Sequence, residues 1–143
     1  MLRIGVVGAG HLGKIHIRIL KECDFAEFIG FYDANEEVAA DVANSLGANS
    51  FASIDDLILA CDVVSVVTPT LAHYEIAQNA MRNFKHVFIE KPIAHTIKES
   101  QKLISLSVEA NVKVQIGHVE RFNPGFIDAS KYLENPMFIE THR

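Results

Sequence analysis

Three glycines near the start of the chain have the spacing of a phosphate-binding turn. Gly8, Gly10 and Gly13 form the pattern G-x-G-x-x-G, with His11 and Leu12 at its variable positions. The first glycine permits a tight turn, the second lets the backbone approach a pyrophosphate, and the third allows a helix to pack closely on a strand. The N–H groups at the start of that helix then bind the phosphates. The spacing predicts a dinucleotide site that includes these five residues, and a purely structural glycine turn is the alternative.

An acidic residue, Asp33, follows Gly13 by 20 residues. A carboxylate at this spacing accepts hydrogen bonds from the adenosine ribose hydroxyls and repels a 2′-phosphate. The next residue is Ala34, where an arginine would have helped to bind that phosphate. Asp33 therefore favours NAD over NADP, with the alternative that it is a turn residue ahead of a helix cap at Asn35.

The same glycine turn also resembles a P-loop, because Lys14 follows Gly13. A P-loop needs a Ser or Thr at the next position to hold Mg²⁺, and this chain has Ile15 there. Hydrolysis of a nucleoside triphosphate is therefore disfavoured. An S-adenosylmethionine enzyme remains open, since such enzymes also combine a glycine-rich turn with an acid after the second strand, although the third glycine counts against it.

Lys91 lies in a Glu-Lys-Pro segment directly after a predicted strand, and Thr68-Pro69-Thr70 follows the preceding strand. Ligands of parallel sheets bind beyond the carboxyl ends of the strands, so we expect the two segments to face each other across a crevice. Pro92 keeps Lys91 out of helical geometry. An amine in such a crevice can exchange a proton with a substrate hydroxyl, and Glu90 can orient it. From the chemistry alone, an ordinary surface lysine remains the alternative.

The elements that position these residues follow from the alternation of short β-branched runs with segments of helical period. The pattern predicts strands at 3–7, 27–32, 49–52, 62–67, 86–89 and 113–116, and helices at 11–23, 35–46, 53–60, 71–82 and 96–110. In the first helix, Leu12, Ile15, Ile19 and Leu20 are expected to face the sheet. The alternation predicts an α/β fold of three layers with a doubly wound parallel sheet, the Rossmann fold.

The alternation ends after Gly117. Turns are predicted at 123–125 and at 135–136, with a helix over 126–133 and the start of a strand over 137–141. We therefore predict that residues 1–120 form the dinucleotide-binding domain. Residues 121–143 are predicted to begin a second domain, for substrate binding and oligomerisation, of which the chain holds only the start.

Composition excludes several classes of function. The net charge of −5 without a basic cluster argues against nucleic acid as a partner. Apolar runs stay well short of the roughly 18 residues that indicate a membrane span, and the N-terminus lacks the features of a signal peptide. Cys23 and Cys61 are predicted to be buried core residues. The histidines lack metal-ligand spacing, so we predict no metal site. Because the two cysteines do not form a disulfide framework and no signal peptide is evident, we predict a protein of the reducing cytoplasm.

Together the motifs resemble the glucose–fructose oxidoreductase/inositol dehydrogenase (Gfo/Idh/MocA) family. The resemblance rests on the order and spacing of four segments, which are the glycine turn, Thr68-Pro69-Thr70 with His73, Glu90-Lys91-Pro92, and Gly117-His118 leading to Arg121-Phe122-Asn123-Pro124. It implies that Lys91 is the catalytic residue, beside the nicotinamide and the substrate. It also implies that Thr68, Pro69 and His73 line the cofactor and that Arg121 contacts cofactor or substrate.

The segment Gly-His-Val-Glu-Arg-Phe-Asn-Pro is similar to members that act on nucleotide-linked amino sugars, such as UDP-N-acetylglucosamine 3-dehydrogenases. The resemblance thus implies NAD-dependent hydride transfer from a sugar or cyclitol hydroxyl, and a homo-oligomer when the second domain is present. Family members are more than twice as long as this chain, so we expect the chain alone to bind dinucleotide without efficient turnover. A non-catalytic dinucleotide-binding module or regulatory subunit is the alternative.

Overall fold

The computed structural model describes residues 1–135, 137, 138 and 140. Strands and helices alternate along most of this length, as the sequence predicts. The strands are β1 (Leu2–Val7), β2 (Ala26–Tyr32), β3 (Val63–Val66), β4 (His86–Ile89) and β5 (Val114–Ile116), and the α-helices are α1 (His11–Lys21), α2 (Glu36–Leu46), α3 (Ile54–Ala60), α4 (Thr70–Arg82), α5 (Ile97–Glu109) and α6 (Pro124–Ser130), with a 3₁₀ helix at Val119–Phe122.

The strands form one parallel sheet in the order β2-β1-β3-β4-β5. The chain builds outward from β1 in one direction to β2 and then returns past β1 to build β3, β4 and β5. This reversal is the switch point of a doubly wound sheet, where ligands bind beyond the strand ends. The predicted Rossmann architecture is confirmed.

All five strands end in register. Val7 lies opposite Tyr32 on one side and Val66 on the other, Val66 lies opposite Ile89, and Ile89 lies opposite Ile116. The segment that follows each strand therefore begins at the same edge of the sheet. This edge carries the glycine turn, Asp33, the Thr68 segment, the Glu90 segment and Gly117.

Two hydrophobic cores cover the two faces of the sheet. Successive residues of a strand point to opposite faces, so Val6 packs with Ile17 of α1 and Val42 of α2, whereas Val7 packs with residues of α3, α4 and α5. The arrangement is the predicted three-layer sandwich. On the α1 side, an apolar groove of about 830 Å³ remains above β3, β4 and β5.

Helix α1 uses a different face from the one that apolar spacing predicts. Gly13 and Ile17 are buried against the sheet. Of the four residues predicted to face it, Leu20 packs against the same core as Ile17, whereas Leu12, Ile15 and Ile19 are 40%, 37% and 59% exposed. The reason is steric, because a Cβ on Gly13 would overlap the carbonyl oxygen of Gly8. The requirement for this close approach sets the rotation of the helix and overrides its hydrophobic pattern.

The predicted caps are confirmed, and they limit the strand predicted at 49–52. Asn35 caps α2, Gly47 ends it at φ 55°, and Ser53 caps α3 by accepting the Asp56 N–H. Because Gly47 and Ser53 enclose so short a segment, only Ser50 forms a bridge with β2. The predicted strand is therefore a single bridge.

The final segment also differs from the prediction. The predicted turn at 123–125 is the start of a helix, since the Asn123 side chain accepts the Gly125 N–H at 2.9 Å and Pro124 occupies the first helical position. Proline suits this position because its fixed φ is helical and its missing N–H would have no partner there. In the strand predicted over 137–141, residues 139 and 141 lie outside the described part, and residues 137, 138 and 140 are not in a strand.

The two cysteines differ in their surroundings. Cys61 is fully buried, as predicted, whereas Cys23 is only partly buried beyond the end of α1.

Within the described residues, no helix is long and apolar enough to cross a membrane.

Candidate functional site

The glycine turn between β1 and α1 has room for a ligand at its second glycine. Gly8 adopts φ 95°, where a Cβ would lie 2.7 Å from the Val67 carbonyl oxygen, so this position requires glycine. A Cβ on Gly10 would meet nothing within 4 Å, so this part of the backbone is open to an approaching group. Gly10 is also the N-cap of α1, and the first turn of that helix has no acidic residue. These features fit a pyrophosphate bound at the helix N-terminus.

Asp33, the residue after β2, joins this turn. Its Oδ2 accepts the Ala9 N–H at 2.7 Å and its Oδ1 accepts the Asn35 N–H at 2.9 Å. The carboxylate therefore fixes the glycine turn to the start of α2, which is the turn role left open by the sequence. Because a carboxylate has about four acceptor positions, it retains capacity for the hydroxyls of a ribose.

His73 ties together the two segments that were expected to face each other. Its side chain is buried, with Nε2 2.8 Å from the Thr68 carbonyl oxygen and Nδ1 2.9 Å from the Pro92 carbonyl oxygen. His73 thus contacts the backbone of both segments. Pro69 is the N-cap of α4, and the buried Thr68 hydroxyl has no hydrogen-bond partner within the described residues.

The carboxylate of Glu90 is buried beneath the third segment. Its Oε2 accepts the N–H of Lys91 at 3.1 Å, and its Oε1 lies 3.2 Å from Nε2 of His16 on α1. A Cβ on Gly117 would come within 2.8 Å of Glu90 Oε1, so the glycine after β5 lets the carboxylate fit. Lys91 itself is exposed at the surface of this edge.

The other predicted residues are exposed. His11 and Leu12 lie in the first turn of α1, and Arg121 lies in the 3₁₀ helix. Sequence reasoning did not assign a role to His16, although its position three residues after Gly13 puts it on the face of α1 that packs on the sheet. Among the described residues, no group of three His, Cys, Asp or Glu side chains could hold a metal ion.

The groups whose pKa values are shifted lie at the opposite edge of the sheet, where the strands begin. Burial raises the pKa of the Cys61 thiol to about 11, against the opposing charge of Lys85. Hydrogen bonds from Arg3 hold the pKa of Asp62 below its usual range, and Asp62 in turn raises the pKa of Arg3. These groups lie where the strands begin, away from the glycine turn.

A match to a known family supports this assembly. Residues 2–118 match the GFO_IDH_MocA family, described as an oxidoreductase family with an NAD-binding Rossmann fold. The chain belongs to this family. It contains the family's NAD-binding domain, which confirms the expected fold and cofactor.

Relatives with known activities include two sugar dehydrogenases. UDP-N-acetylglucosamine 3-dehydrogenase of Acidithiobacillus ferrooxidans is 37% identical over 99% of this chain and 45% of its own length. Glucose-6-phosphate 3-dehydrogenase of Bacillus subtilis is 32% identical over 85% of this chain and 35% of its own length. The chain thus spans less than half the length of either relative.

Solved structures show the same fold. A structure of the Acidithiobacillus enzyme matches 92% of this chain and 43% of its own with a TM-score of 0.85 and 36% identity. GenD2 from gentamicin A biosynthesis, in complex with NAD, matches 94% of this chain and 39% of its own with a TM-score of 0.86 and 25% identity.

Proposed function

We propose that this chain is the cofactor domain of an NAD-dependent dehydrogenase that oxidises a hydroxyl of a sugar or cyclitol, with nucleotide-linked sugars as the favoured class. The observation that carries the proposal is the common register of the strand ends, from which the glycine turn, Asp33 and the Glu90 segment all extend. The substrate class is supported by the sugar dehydrogenases among the relatives.

In this proposal, the exposed N–H groups of the glycine turn, including those of His11 and Leu12, bind the pyrophosphate. Asp33 accepts the ribose hydroxyls and disfavours a 2′-phosphate. Thr68 and Pro69 border the cofactor, His73 holds them in place, and Arg121 supplies a further contact to cofactor or substrate.

The chemical step combines a hydride and a proton transfer. Bound NAD supplies the hydride acceptor. Lys91 would take the proton of the substrate hydroxyl while the carbinol is oxidised to a carbonyl. The carboxylate of Glu90 accepts the N–H of Lys91 and so holds the backbone of Lys91 in place.

The remaining parts of the proposal concern the whole protein. Residues 1–120 are the dinucleotide-binding domain and residues 121–143 begin the substrate domain, through which the protein forms a homo-oligomer in the cytoplasm. The partners are small molecules, and neither a nucleic acid nor a membrane is needed.

Calorimetry on the chain tests the cofactor part. We expect NAD and NADH to bind, with NADP weaker by about tenfold or more, since a 2′-phosphate would face the Asp33 carboxylate. Folded chain that releases no heat with NAD or NADH would contradict the proposal.

Substitution of Lys91 tests the catalytic part. In a fusion of this chain to the second domain of the Acidithiobacillus relative, Lys91→Ala should lower kcat by about 100-fold or more, the usual contribution of a proton-transfer group. Lys91→Arg should be equally slow, because a guanidinium does not give up its proton. NAD affinity should stay within about threefold in both variants, a change of under 1 kcal/mol.

An exposed lysine on α5 provides the control, and Lys98→Ala should leave turnover unchanged. Turnover retained by Lys91→Ala would remove the lysine from the mechanism. A wild-type chain that binds NAD but turns over no sugar in any fusion would favour the non-catalytic binding module.

A further inference from the structure

One histidine outside the predicted site connects the two ends of the dinucleotide crevice. His16 lies on α1, one turn beyond Gly13, and its side chain is 18% exposed. Its Nε2 is 3.2 Å from Glu90 Oε1 and its Nδ1 is 3.1 Å from the Ser65 hydroxyl. The imidazole of His16 and the ring of Phe88 make an edge-to-face contact, with their centroids 5.5 Å apart. Contacts with β3, with β4 and with the turn after β4 therefore fix this ring.

We propose that His16 is a positioning residue that acts through Glu90 on the backbone of Lys91. It joins the helix of the phosphate turn to the Glu-Lys-Pro turn and so fixes the distance between the pyrophosphate and nicotinamide ends of the site. The inference rests on the proposed function, in which Lys91 lies at the nicotinamide end.

The buried carboxylate of Glu90 makes this connection necessary. A carboxylate removed from water needs donors, because an unpaired buried charge is strongly destabilising. His16 supplies a donor to Oε1, and the Lys91 N–H supplies one to Oε2. Gly117 lies against the same group, where a Cβ would be 2.8 Å from Oε1. Without the imidazole, the Lys91 N–H is the one donor that the described residues still supply to this carboxylate.

The contact does not depend on the charge of the ring. In the neutral tautomer with hydrogen on Nε2, that nitrogen donates to Glu90 and the Ser65 hydroxyl donates to Nδ1. In the imidazolium, both nitrogens donate, and Ser65 accepts. His16 therefore serves Glu90 as a donor in both states.

The phosphate turn has separate supports. The Gly8 N–H donates to the Tyr32 carbonyl at 2.8 Å and the Ala9 N–H donates to Asp33 at 2.7 Å. Neither bond involves His16. Loss of the imidazole should consequently loosen the Lys91 end and leave the pyrophosphate end intact, which separates positioning from a general role in folding.

Residue-resolved amide exchange on the chain measures the first effect. In His16→Ala, the Lys91 amide should exchange about tenfold faster or more, because its buried acceptor is no longer held. The Gly8 amide should keep its wild-type rate. His16→Gln should restore most of the protection, since its amide group can donate to Glu90 and accept from Ser65.

A histidine at the start of a strand provides the matched control. His86 begins β4, and its Nδ1 accepts the Lys113 N–H at 3.0 Å at the opposite edge. His86→Ala should leave the Lys91 amide unchanged.

Calorimetry with ADP-ribose and NAD measures the second effect. His16→Ala should weaken NAD by about tenfold, in the range of a lost charge-assisted hydrogen bond, because it releases the backbone of the Glu-Lys-Pro turn and not the Lys91 side chain alone. ADP-ribose should weaken by less than about twofold. His16→Gln should recover NAD affinity.

Three results decide the inference. An unchanged Lys91 exchange rate in folded His16→Ala would overturn it, and so would equal weakening of ADP-ribose and NAD. If His16→Ala does not fold, Glu90→Gln takes its place. It is expected to speed Lys91 exchange, and a wild-type Lys91 exchange rate in this variant would overturn the inference. A wild-type chain that binds neither ligand would contradict the proposed function, while the exchange rates would still decide the His16 contact.

Discussion

His73 shows how single side chains hold this site together. Both of its ring nitrogens lie within 2.9 Å of backbone carbonyl oxygens, from Thr68 and from Pro92. Both partners are acceptors, so a neutral imidazole satisfies one carbonyl and an imidazolium satisfies both. Glu90 and Asp33 likewise bind backbone N–H groups of neighbouring turns. These three residues fix the turns that carry the candidate ligand contacts, and so act before any ligand is bound.

Substitution of His73 should therefore affect stability. We expect His73→Ala to lower the free energy of unfolding by about 2–5 kcal/mol, because it leaves a cavity at a buried side chain and removes the ring that contacts two backbone carbonyls. Urea denaturation followed by circular dichroism measures the change. His95→Ala, at an exposed position between the same turn and α5, should stay within about 0.5 kcal/mol of wild type. If His73→Ala unfolded at the same urea concentration as wild type, the contacts of the ring with the two carbonyls would not contribute to stability.

At the scale of elements, the two edges of the sheet carry different groups of interactions. The carboxyl ends carry the glycine turn and the Glu-Lys-Pro turn, whereas the amino ends of β1 and β3 are clamped by an ion pair. Arg3 Nη2 lies 2.8 Å from Asp62 Oδ1, and the Arg3 N–H donates to Asp62 Oδ2 at 2.9 Å. The Asp62 N–H returns a bond to the Arg3 carbonyl at 2.8 Å. The clamp fixes the register of the two strands that enclose the switch point.

The pH dependence of stability should reveal this clamp. Because the pKa of Asp62 is lower in the folded chain than its ordinary value of about 3.9, its stabilisation is fully present above that value and is lost as the pH falls below it. Wild type should therefore be more stable than Asp62→Asn at pH values near neutrality, and the difference should shrink at acid pH. Urea denaturation across this range measures it.

An exposed pair on the last helix is the control for this experiment. Asp128 Oδ1 lies 2.9 Å from Lys131 Nζ, and the two side chains are 76% and 67% exposed. Surface pairs of this kind contribute little, so Asp128→Asn should follow wild type at every pH. A gap between wild type and Asp62→Asn that stays constant down to acid pH would show that the carboxylate is not the origin of the difference.

At the scale of the whole molecule, the described residues before and after His118 differ in burial. Every described residue from His118 onward is exposed, including Phe126 and Ile127 of α6. The two hydrophobic cores are built from residues before this point. This distribution supports the proposed boundary between the dinucleotide-binding domain and the start of a second domain.

Deletion of the final segment tests that boundary. A chain of residues 1–123 should fold with a free energy of unfolding within about 1 kcal/mol of the full chain, since exposed residues contribute little to a core. Its NAD affinity should be the same within about threefold, because Arg121 and all the other proposed contacts remain. Urea denaturation and calorimetry give the two values. An unfolded product would assign residues 124–143 to the first domain.

Much of this fold could be predicted from local patterns, and the exceptions share one cause. Asn35, Gly47 and Ser53 act as the sequence indicates, because a cap depends on the few residues around it. The predicted face of α1 was wrong at Leu12, Ile15 and Ile19, because the close contact between Gly13 and the Gly8 carbonyl outweighs the hydrophobic spacing. The strand predicted at 49–52 was wrong because the neighbouring caps leave room for only one bridge.

By itself, the sequence determined the order of the elements, the spacing of the glycine turn and the family to which the chain belongs. These depend on neighbouring residues, on period and on motif order, all of which are written along the chain. Only the tertiary structure decided that His16 meets Glu90, that His73 joins two turns and that Asp33 binds the Ala9 N–H. Those contacts depend on the common register of parallel strands, which brings distant segments to one edge at distances that no local pattern encodes.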